Sequence, residues 1–527
     1  MPNPLLTLQK NHQWQNKHRN VSLLVDSFYD VYNLWCDAPA PEHNDWRPGL
    51  QGLRSVVAEA ERQSKRVRAL GGAWSLSEAA ITADVMVNTK SLNFIELGFR
   101  SANIAPEFTG DRSRLCFAQC GASVMELYSF LESRGFTLPT SGASNGQTIA
   151  GAVATGTHGS ANSVGSMQDF IIGLHLVLDG GRQVWVERAT QPVVSEAFCQ
   201  IIGAELVRDD GMFNAAVVAF GSFGLIHAVL FEAVPIFLLE KRLARFDYSV
   251  VRPVLSTLDV SLLGLPELTE LPFHFEIVID PYHVKDGQRG AYVRALSKRP
   301  FAPVVPSSGS SSGIVQGDDA MGLLGAVTNP APGIVPLIIE HVLSLQLKPV
   351  QGVLGTPGQQ FGPTDTRGFI MSTEIGVALA DAENAVDAIV HVAHEFPWGG
   401  FPAIRYVKGS SALLPFTHFA PVACTIEIPS AGSNRTKQAF ERVWVELHRR
   451  NVVFTLHWGQ CLRPSAIHFP SAYGARVNDW LTARARLLGP SGMQLFSSDW
   501  LDQLGLNNAA PNGELDTARS VCGVTET

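Results

Sequence analysis

Residues 453–460 read as a strand that carries one histidine, His457, among mostly apolar neighbours. Strand alternation places His457 on one face with Thr455 and Gly459, and the glycine lets a flat ligand approach that face closely. A histidine can take up or donate a proton near neutral pH, so His457 is a candidate for acid, base or hydrogen-bonding chemistry on a substrate O–H group. A histidine held in the core for structural reasons is the alternative interpretation.

Two other strand-like stretches carry charged residues of opposite sign. Glu276 lies on the polar face of residues 273–280. If that face borders a cavity, burial would tune the pKa of Glu276 for a base or a substrate anchor; if it faces water, it is the solvated side of the strand. Arg405 is a candidate for binding an oxyanion, with an exposed surface arginine as the alternative, and Glu374 is a weaker carboxylate candidate.

Residues 139–160 contain five glycines and many small side chains, which leave the backbone uncovered. Glycine lets backbone amides come close to a ligand, and clustered N–H groups form a cradle for phosphate oxygens or for an electron-rich ring edge. Two further glycine turns, at residues 71–72 and 221–224, each adjoin a strand-like stretch. Three such turns are what one extended ligand held between two small sheets would require.

Helical and strand-like patterns alternate from residue 45 to about residue 235. The helices and strands predicted there cover residues 50–63, 66–70, 85–88 and 123–134. This alternation predicts a layered α/β or α+β domain. Residues 1–45 are polar and aromatic, and we expect them to form an arm packed over this domain.

A second pattern, richer in strands, begins after Pro235. The strand candidates are residues 246–251, 274–280, 369–378, 402–407 and 422–428, and the helix candidates are residues 382–395 and 437–451. We therefore predict an N-terminal arm and ligand-binding domain at residues 1–235 and a substrate-binding domain with a mixed or antiparallel sheet at residues 236–465. A C-terminal segment, residues 466–527, is expected to return to the first domain.

Composition excludes several classes of protein. The 527 residues are 46% hydrophobic and 17% charged, which is typical of a globular chain rather than a disordered one. A net charge of −8, with no basic block that contains interleaved aromatic residues, argues against nucleic acid as a partner. The apolar run at residues 215–239 is broken by two glycines and a proline, so it predicts buried strands and no membrane span.

The seven cysteines are scattered along the chain and predict reduced thiols rather than a disulfide framework. Cys116 and Cys120 form a pair without a second pair of ligands, so no metal site is expected. The N-terminus lacks the basic start and the long apolar run of a secretion signal. These features predict a cytoplasmic location.

The three glycine segments, in this order and at this spacing, resemble the FAD-binding domain of the vanillyl-alcohol oxidase and p-cresol methylhydroxylase flavoproteins. Within that superfamily the sequence is most similar to the sugar-lactone (aldonolactone) and alditol oxidases, with the sterol oxidases of the same fold behind them. The Gln-Thr-Ile-Ala-Gly signature at residues 147–151 and the Thr-Gly-Thr-His-Gly signature at residues 155–159 carry the resemblance. It covers residues 45–235 and returns at His-Trp-Gly, residues 457–459, and near the C-terminus.

The resemblance implies a two-domain α+β flavoprotein. Its FAD-binding domain would consist of two small α/β subdomains, and its substrate domain would contain a large mixed or antiparallel sheet covered by helices. In this pattern His158 holds a loop around the flavin and is not a base. The residues implied in cofactor binding are Gly71, Gly72, Ala73, Trp74, Ser75, Thr140, Gly142, Ala143, Gly146, Gln147, Thr148, Gly151, Ala152, Thr155, Gly156, Thr157, His158, Gly224 and Ile226.

Many relatives link the flavin covalently to a histidine in the first turn, and some add a second link through a cysteine in the later loop. Trp74 stands at the place of the histidine, and residues 139–160 contain no cysteine. The indole nitrogen is only a donor and does not act as the nucleophile that such a link requires. We therefore predict non-covalently bound FAD, with Trp74 packed against the dimethylbenzene edge of the ring.

The catalytic segments depart from the family pattern at two positions. The lysine that follows His-Trp-Gly in the resembling enzymes is Gln460 here, and the Glu-x-Arg of the polyol and sterol oxidases leaves Ala403 and Arg405. The loss of a lysine and a glutamate predicts a less polar alcohol or a decorated ring rather than a simple polyol. Apolar residues around 322–345 are expected to form its entrance.

Together these features predict an FAD-dependent oxidase that takes a hydride from a C–OH group of a small alcohol or lactone-type substrate, with O2 as the electron acceptor. The predicted catalytic residues are His457, Arg405, Glu276 and Gln460. One alternative is a dehydrogenase of the same fold that passes electrons to a quinone or a carrier protein. The other is a non-redox protein that uses the flavin fold to bind or isomerise a ligand.

Overall fold

A computed structural model describes residues 3–36, 45–302, 331–361 and 369–507 of the chain. Helices and largely antiparallel sheets alternate through this part of the chain, which confirms the predicted α+β class. Within the described residues, no helix is both long and apolar enough to cross a membrane.

The described residues of the N-terminal part, up to Pro235, form two separate sheets and a short two-stranded ribbon. Its strands are β1 (Pro4–Gln15), β2 (Ser22–Trp35), β3 (Val67–Leu70), β4 (Val85–Asn88), β5 (Ile95–Leu97), β6 (Leu115–Gln119), β7 (Phe136–Thr137), β8 (Ile171–Val177), β9 (Gln183–Glu187), β10 (Glu205–Arg208), β11 (Leu225–Glu232) and β12 (Val234–Pro235). Its helices are α1 (Arg47–Arg62), α2 (Val124–Glu132), α3 (Ile149–Thr155), α4 (Glu196–Ile202) and α5 (Asp210–Ala216). The first sheet has the order β1-β2-β4-β3, and the second has the order β10-β9-β8-β11-β6-β5.

The N-terminal residues form part of the first sheet, so the expected arm is corrected to a β-hairpin. β1 and β2 pair along their length, and β2 runs parallel to β4. The hairpin belongs to this sheet because Val25 and Phe28 of β2 share a core cluster with Leu70 and Met86 of the neighbouring strands. The predicted elements at residues 50–63, 66–70, 85–88 and 123–134 are confirmed.

The second part of the chain is built around one eight-stranded antiparallel sheet of order β16-β13-β15-β14-β18-β19-β17-β20. Its strands are β13 (Phe237–Phe246), β14 (His274–Ile279), β15 (Ala291–Pro300), β16 (Val350–Gly355), β17 (Ile370–Ala378), β18 (Ala403–Lys408), β19 (Val422–Ala431) and β20 (Phe454–Leu456). The helices in and after it are α6 (Tyr248–Val251), α7 (Val254–Thr257), α8 (Val335–Gln346), α9 (Pro357–Gln360), α10 (Ala382–Glu395), α11 (Asn434–Arg449), α12 (Phe469–Tyr473), α13 (Arg476–Leu495) and α14 (Asp499–Gln503).

The strand predicted at residues 246–251 is wrong, whereas the other strands and helices predicted for this part are confirmed. β13 ends at Phe246, and α6 follows. Tyr248 and Val251 are both buried, three residues apart. That spacing belongs to one face of a helical turn. The apolar residues of this run therefore follow the helical period of 3.6 residues and not the two-residue alternation of a strand.

The two faces of the large sheet differ in polarity. Ile404 and Tyr406 of β18 point into the core that includes α10 and α11, while Arg405 between them points to the other face. That other face carries the charged residues predicted for the site. Behind the glycine turns, α13 packs on the N-terminal part, where Arg484 Nε donates to the Ser222 carbonyl at 2.9 Å. The domain boundaries at residues 235 and 465 stay predictions.

Candidate active site

A single cavity is lined both by the glycine turns of the N-terminal part and by the polar face of the large sheet. Its empty volume, including the part open to solvent, is about 1400 Å³. The sheet contributes Glu374, Arg405 and Glu427, and the segment after β20 contributes His457 and Gln460. The cavity therefore borders both the glycine turns expected to hold a cofactor and the charged residues expected to contact a substrate.

Sixteen of the nineteen residues predicted to bind the cofactor line this cavity. They are Gly71, Gly72, Ala73, Trp74, Ser75, Gly142, Ala143, Gln147, Thr148, Gly151, Ala152, Thr155, Thr157, His158, Gly224 and Ile226. Thr140, Gly146 and Gly156 do not line it. Gly146 backs onto the indole of Trp74, and Gly156 ends α3 with a φ of 82° beside Phe416. Gly146 and Gly156 therefore lie in the glycine-rich loop outside the cavity lining and contribute to the conformation of that loop.

The first two glycine turns meet each other at the cavity wall. A Cβ atom on Gly71 would lie 2.1 Å from Oγ1 of Thr148, and one on Gly72 would lie 2.7 Å from the Gly146 carbonyl oxygen. These distances are far too short for a carbon atom, so a larger residue at either position would push the turns apart. The close approach explains why glycine stands at both positions.

Two buried side-chain oxygens beside these turns have no hydrogen-bond partner among the described residues. They are Oε1 of Gln147 and Oγ1 of Thr148, and both residues line the cavity. Buried polar atoms are almost always paired in folded proteins, so unpaired ones that border a cavity indicate a polar ligand. The small side chains, the backbone turns and these two oxygens together fit a dinucleotide such as FAD.

Arg405 lies at the centre of a cluster of carboxylates from three strands. Its Nε donates to Oε1 of Glu276 at 2.7 Å and its Nη1 donates to Oε2 of Glu427 at 2.6 Å. Nη1 also lies 3.7 Å from Oε1 of Glu374. Burial opposes the positive charge, but the three carboxylates outweigh burial and raise the pKa of Arg405. Arg405 is 5% exposed, so the alternative of a surface arginine is wrong.

Glu276 is buried behind Arg405 and does not line the cavity. Its second oxygen pairs with Nη2 of Arg294 at 2.7 Å. Burial opposes ionisation, but the charges of Arg294 and Arg405 outweigh it and lower the pKa of Glu276 to about 2. A carboxylate held between two arginines is a poor base. The geometry therefore favours Glu276 as the residue that positions Arg405, and its predicted role as a base is not supported.

Glu427 was not singled out in the sequence, yet it is the carboxylate of this cluster most accessible from the cavity. Its side chain is 18% exposed, against 2% for Glu276 and 3% for Glu374. It lies directly opposite Ala403 in the β18–β19 pair. The acidic group missing at position 403 is thus present, supplied by the neighbouring strand. An acidic residue in the mostly apolar run 422–428 was the signal that could have revealed it.

His158 connects the glycine-rich loop to the sheet. Its Nδ1 lies 2.8 Å from the Gly159 carbonyl oxygen, and its Nε2 lies 2.8 Å from Oε1 of Glu374. Both partners are oxygen atoms that accept hydrogen bonds, so His158 bridges its own loop and strand β17 of the sheet. Burial opposes ionisation of Glu374, but the contact with His158 and the charge of Arg405 outweigh burial and lower the pKa of Glu374 to about 2. A buried contact between His158 and Glu374 therefore joins the two parts of the chain at the cavity.

His457 follows the last residue of β20, and its hydrogen bonding limits its chemistry. Nδ1 accepts a hydrogen bond from the backbone N–H of Gly459 at 2.9 Å. Burial lowers the pKa of His457 to about 4, against the opposing effect of Glu374. The ring is therefore neutral at pH 7, and with Nδ1 accepting, its proton resides on Nε2. Such a ring donates a hydrogen bond and is not set up to remove a proton.

Gln460 lines the cavity beside the carboxylate cluster. Its Nε2 lies 3.5 Å from Oε1 of Glu427, and its Oε1 has no partner among the described residues. It is therefore placed to accept a hydrogen bond from a ligand. Of the four predicted catalytic residues, His457, Arg405 and Gln460 line the cavity together.

His158, Glu374 and His457 each offer a ligand atom, and these atoms lie within 4.8 Å of one another. That spacing would also admit a metal ion. However, Nδ1 of His457 and both ring nitrogens of His158 are already engaged in hydrogen bonds. We therefore assign the three residues to hydrogen bonding and retain the prediction of a site without a metal.

Comparisons with known proteins support a flavin site. Residues 50–187 match the family described as FAD binding domain. Over 209 residues the chain is 29% identical to a putative D-arabinono-1,4-lactone oxidase of Neurospora crassa, which covers 39% of this chain and 32% of that protein. Over 230 residues it is 28% identical to an L-gulono-1,4-lactone dehydrogenase of Mycobacterium tuberculosis, covering 44% of each. The matched stretch thus spans less than half the length of either relative.

Among solved structures, a solvent-stable cholesterol oxidase aligns with a TM-score of 0.68 at 15% identity, over 96% of this chain and 100% of that one. A VAO-type flavoprotein of Myceliophthora thermophila aligns with a TM-score of 0.55 at 12% identity, over 88% and 78%. At these identities the likeness concerns the fold. The fold and the FAD binding domain confirm the resemblance to the vanillyl-alcohol oxidase and p-cresol methylhydroxylase superfamily.

Proposed function

We propose that this protein is an FAD-dependent oxidoreductase that oxidises a C–OH group of a small, hydroxylated, lactone-type substrate. The observation that carries the proposal is the shared cavity: the glycine turns and the Arg405 cluster line one space. Bound FAD would supply the hydride acceptor. The three turns would hold it without a covalent link, since Trp74 stands where the resembling enzymes have their linking histidine.

The chain's own polar groups would bind the substrate and handle its proton. Glu427 would accept the hydrogen bond or the proton of the substrate O–H group, with Arg405 fixing the position of its carboxylate. His457 would donate from Nε2 to an oxygen in the cavity, and Gln460 would hold a second hydroxyl through its free Oε1. The contact between His158 and Glu374 would close the cavity between the two parts of the chain.

The sequence predicts a less polar substrate because a lysine and a glutamate of the family pattern are missing, and the structure weakens that argument. Glu427 restores the carboxylate that Ala403 lacks, and Gln460 keeps a polar group at the lysine position. Residues 331–345, the described part of the expected apolar entrance, do not line the cavity, and residues 322–330 lie outside the described residues. The lactone names of the matched relatives support a lactone-type substrate. The expectation that a simple polyol is excluded remains a prediction.

A dehydrogenase is the second candidate function. It is favoured by the relative from Mycobacterium tuberculosis, whose name specifies a dehydrogenase. The two functions differ only in the final electron acceptor. Oxygen uptake on addition of substrate would identify an oxidase, whereas reduction of a quinone or a dye without oxygen uptake would identify a dehydrogenase.

The proposal is tested by anaerobic titration of the purified, FAD-loaded protein with aldonolactones, alditols and a sterol. We expect an aldonolactone to bleach the flavin absorbance in the visible range. Bleaching by another class would correct the substrate. If a ligand perturbs the spectrum and none bleaches it, the non-redox alternative replaces the proposal. Protein that binds no FAD after reconstitution would exclude the whole assignment.

A further inference from the structure

The turn between β1 and β2, residues 16–21, is tied to the segment that follows the first glycine turn. Nδ2 of Asn16 donates to the Ser75 carbonyl at 2.9 Å, and Nδ2 of Asn20 donates to the Leu76 carbonyl at 2.7 Å. The two side chains are also joined to each other, at 2.6 Å, and Asn16 is 4% exposed. Two amide side chains of the N-terminal hairpin thus hold the backbone of a segment that lines the cavity.

The main chain of the same hairpin turn holds a strained residue. Lys17 N–H donates to the carbonyl of Ala73 at 3.1 Å. Ala73 has a φ of 57°, a left-handed conformation that residues with a side chain rarely adopt. Such a conformation persists when surrounding contacts hold it, and the hydrogen bond from Lys17 is one of these contacts.

Trp74 is packed between the hairpin and the glycine-rich loop. Nζ of Lys17 lies 4.1 Å from the centroid of the indole ring, and His18 meets the ring edge-on at 5.5 Å. Gly146 leaves room for the indole, because a Cβ there would lie 2.5 Å from Cζ2 of Trp74. Trp74 therefore connects three separate segments at the wall of the cavity.

We propose that the hairpin turn, residues 16–21, braces the flavin site and sets how long FAD stays bound. Asn16 and Asn20 would be positioning residues that act through the first glycine turn, without touching the cofactor. The hairpin turn would slow the release of FAD, as the covalent link to the flavin does in the resembling enzymes. This inference rests on the proposed function in one respect, that the cavity binds FAD.

The test is the double variant Asn16→Ala/Asn20→Ala, compared with wild type for its FAD dissociation constant and FAD release rate. Quenching of flavin fluorescence on binding to the apoprotein measures the dissociation constant. Dilution of the FAD-loaded protein measures the release rate. We expect the dissociation constant to rise roughly 10-fold, because two hydrogen bonds to the turn are lost. Gln9→Ala is the matched control, since it removes an amide from the same hairpin at an exposed contact with Asp30; it should bind FAD as wild type does.

A second variant, Lys17→Met, keeps the packing of the side-chain stem over Trp74 and removes its charge. It should raise the FAD dissociation constant severalfold. This variant replaces the double variant as the test if the double variant does not fold. If the hairpin turn had only a structural role, the variants would lower the melting temperature of the apoprotein and leave the FAD affinity unchanged. That result would overturn the proposal that residues 16–21 control FAD binding. Wild-type protein that binds no FAD would overturn the proposed function instead.

Discussion

Ala403 and Glu427 lie directly opposite each other on β18 and β19, and the carboxylate of Glu427 reaches Arg405, two residues along from Ala403. Cross-strand partners project to the same face of a sheet, so a carboxylate on either strand can serve the same arginine. The pair of an acid and Arg405 is therefore present although the Glu-x-Arg motif is broken. A missing motif residue need not mean a missing group.

Replacing Glu427 by glutamine is expected to slow flavin reduction by about 100-fold while FAD content stays normal. The change removes the carboxylate most accessible from the cavity and keeps its size, and positioned proton-transfer groups contribute about that much or more. Anaerobic stopped-flow bleaching measures the rate. Glu395→Gln, an exposed helix residue, is the control. Reduction at the wild-type rate in Glu427→Gln would remove Glu427 from the chemistry.

Replacing Arg405 separates its structural role from its chemical one. Arg405→Ala leaves three carboxylates without their common partner, which should lower the free energy of unfolding by about 3–5 kcal/mol. Arg405→Lys keeps the charge and should unfold closer to wild type, yet still reduce the flavin about 100-fold more slowly because the two-sided contact to Glu276 and Glu427 is lost. Thermal unfolding and bleaching kinetics measure the two effects. Equal stability of both variants would contradict the buried network.

If His457 acts as a neutral hydrogen-bond donor, two variants at this position should differ in their rates of flavin reduction. His457→Gln offers an N–H group and should reduce the flavin within about 10-fold of the wild-type rate, whereas His457→Ala should lose about 100-fold. If His457 were a base, both variants would be equally slow. The rate of the wild-type enzyme should also show no ionisation of His457 between pH 5.5 and about 8, because its pKa is about 4.

The same residue predicts how stability depends on pH. The folded pKa of His457 is lowered to about 4 from 6.5, so between these values the unfolded chain binds a proton that the folded chain does not. Its contribution to stability is complete above pH 6.5 and is lost as the pH falls toward 4. The drop in melting temperature from pH 7 to pH 5 should therefore be smaller in His457→Gln than in wild type. An unchanged drop would contradict the burial of a neutral ring.

The parts of the site that are contiguous in sequence could be predicted, and those that depend on pairing between strands could not. The glycine turns carry their function in local spacing, and sixteen of nineteen predicted residues line the cavity. Glu427 becomes visible only once the register of β18 against β19 is known. The role of residues 16–21 likewise depends on where the hairpin lies. His457 was found by its motif, but the acceptor role of its Nδ1 needed the position of Gly459.

The contact between the first two glycine turns predicts that Gly71→Ala loses FAD. The added Cβ would lie 2.1 Å from Oγ1 of Thr148, so one turn must move and the backbone cradle opens. We expect purified Gly71→Ala to be largely colourless, with an FAD dissociation constant raised at least 10-fold. Gly333→Ala is the control, because nothing lies within 4 Å of its added Cβ. FAD binding at the wild-type level would show that the turns do not need this close contact.

Trp74 predicts that the flavin is not covalently attached. Its indole lines the cavity at the position where the resembling enzymes carry a linking histidine, and the indole nitrogen is a donor without a nucleophilic lone pair. Residues 139–160 contain no cysteine that could replace it. Acid precipitation of the yellow protein should therefore leave the colour in the supernatant, and the intact mass should equal that of the unmodified chain. Trp74→Phe should keep the packing between the hairpin and Gly146 and still release its FAD in acid. Colour that stays with the wild-type pellet, together with a mass raised by one FAD, would show that another side chain forms the link.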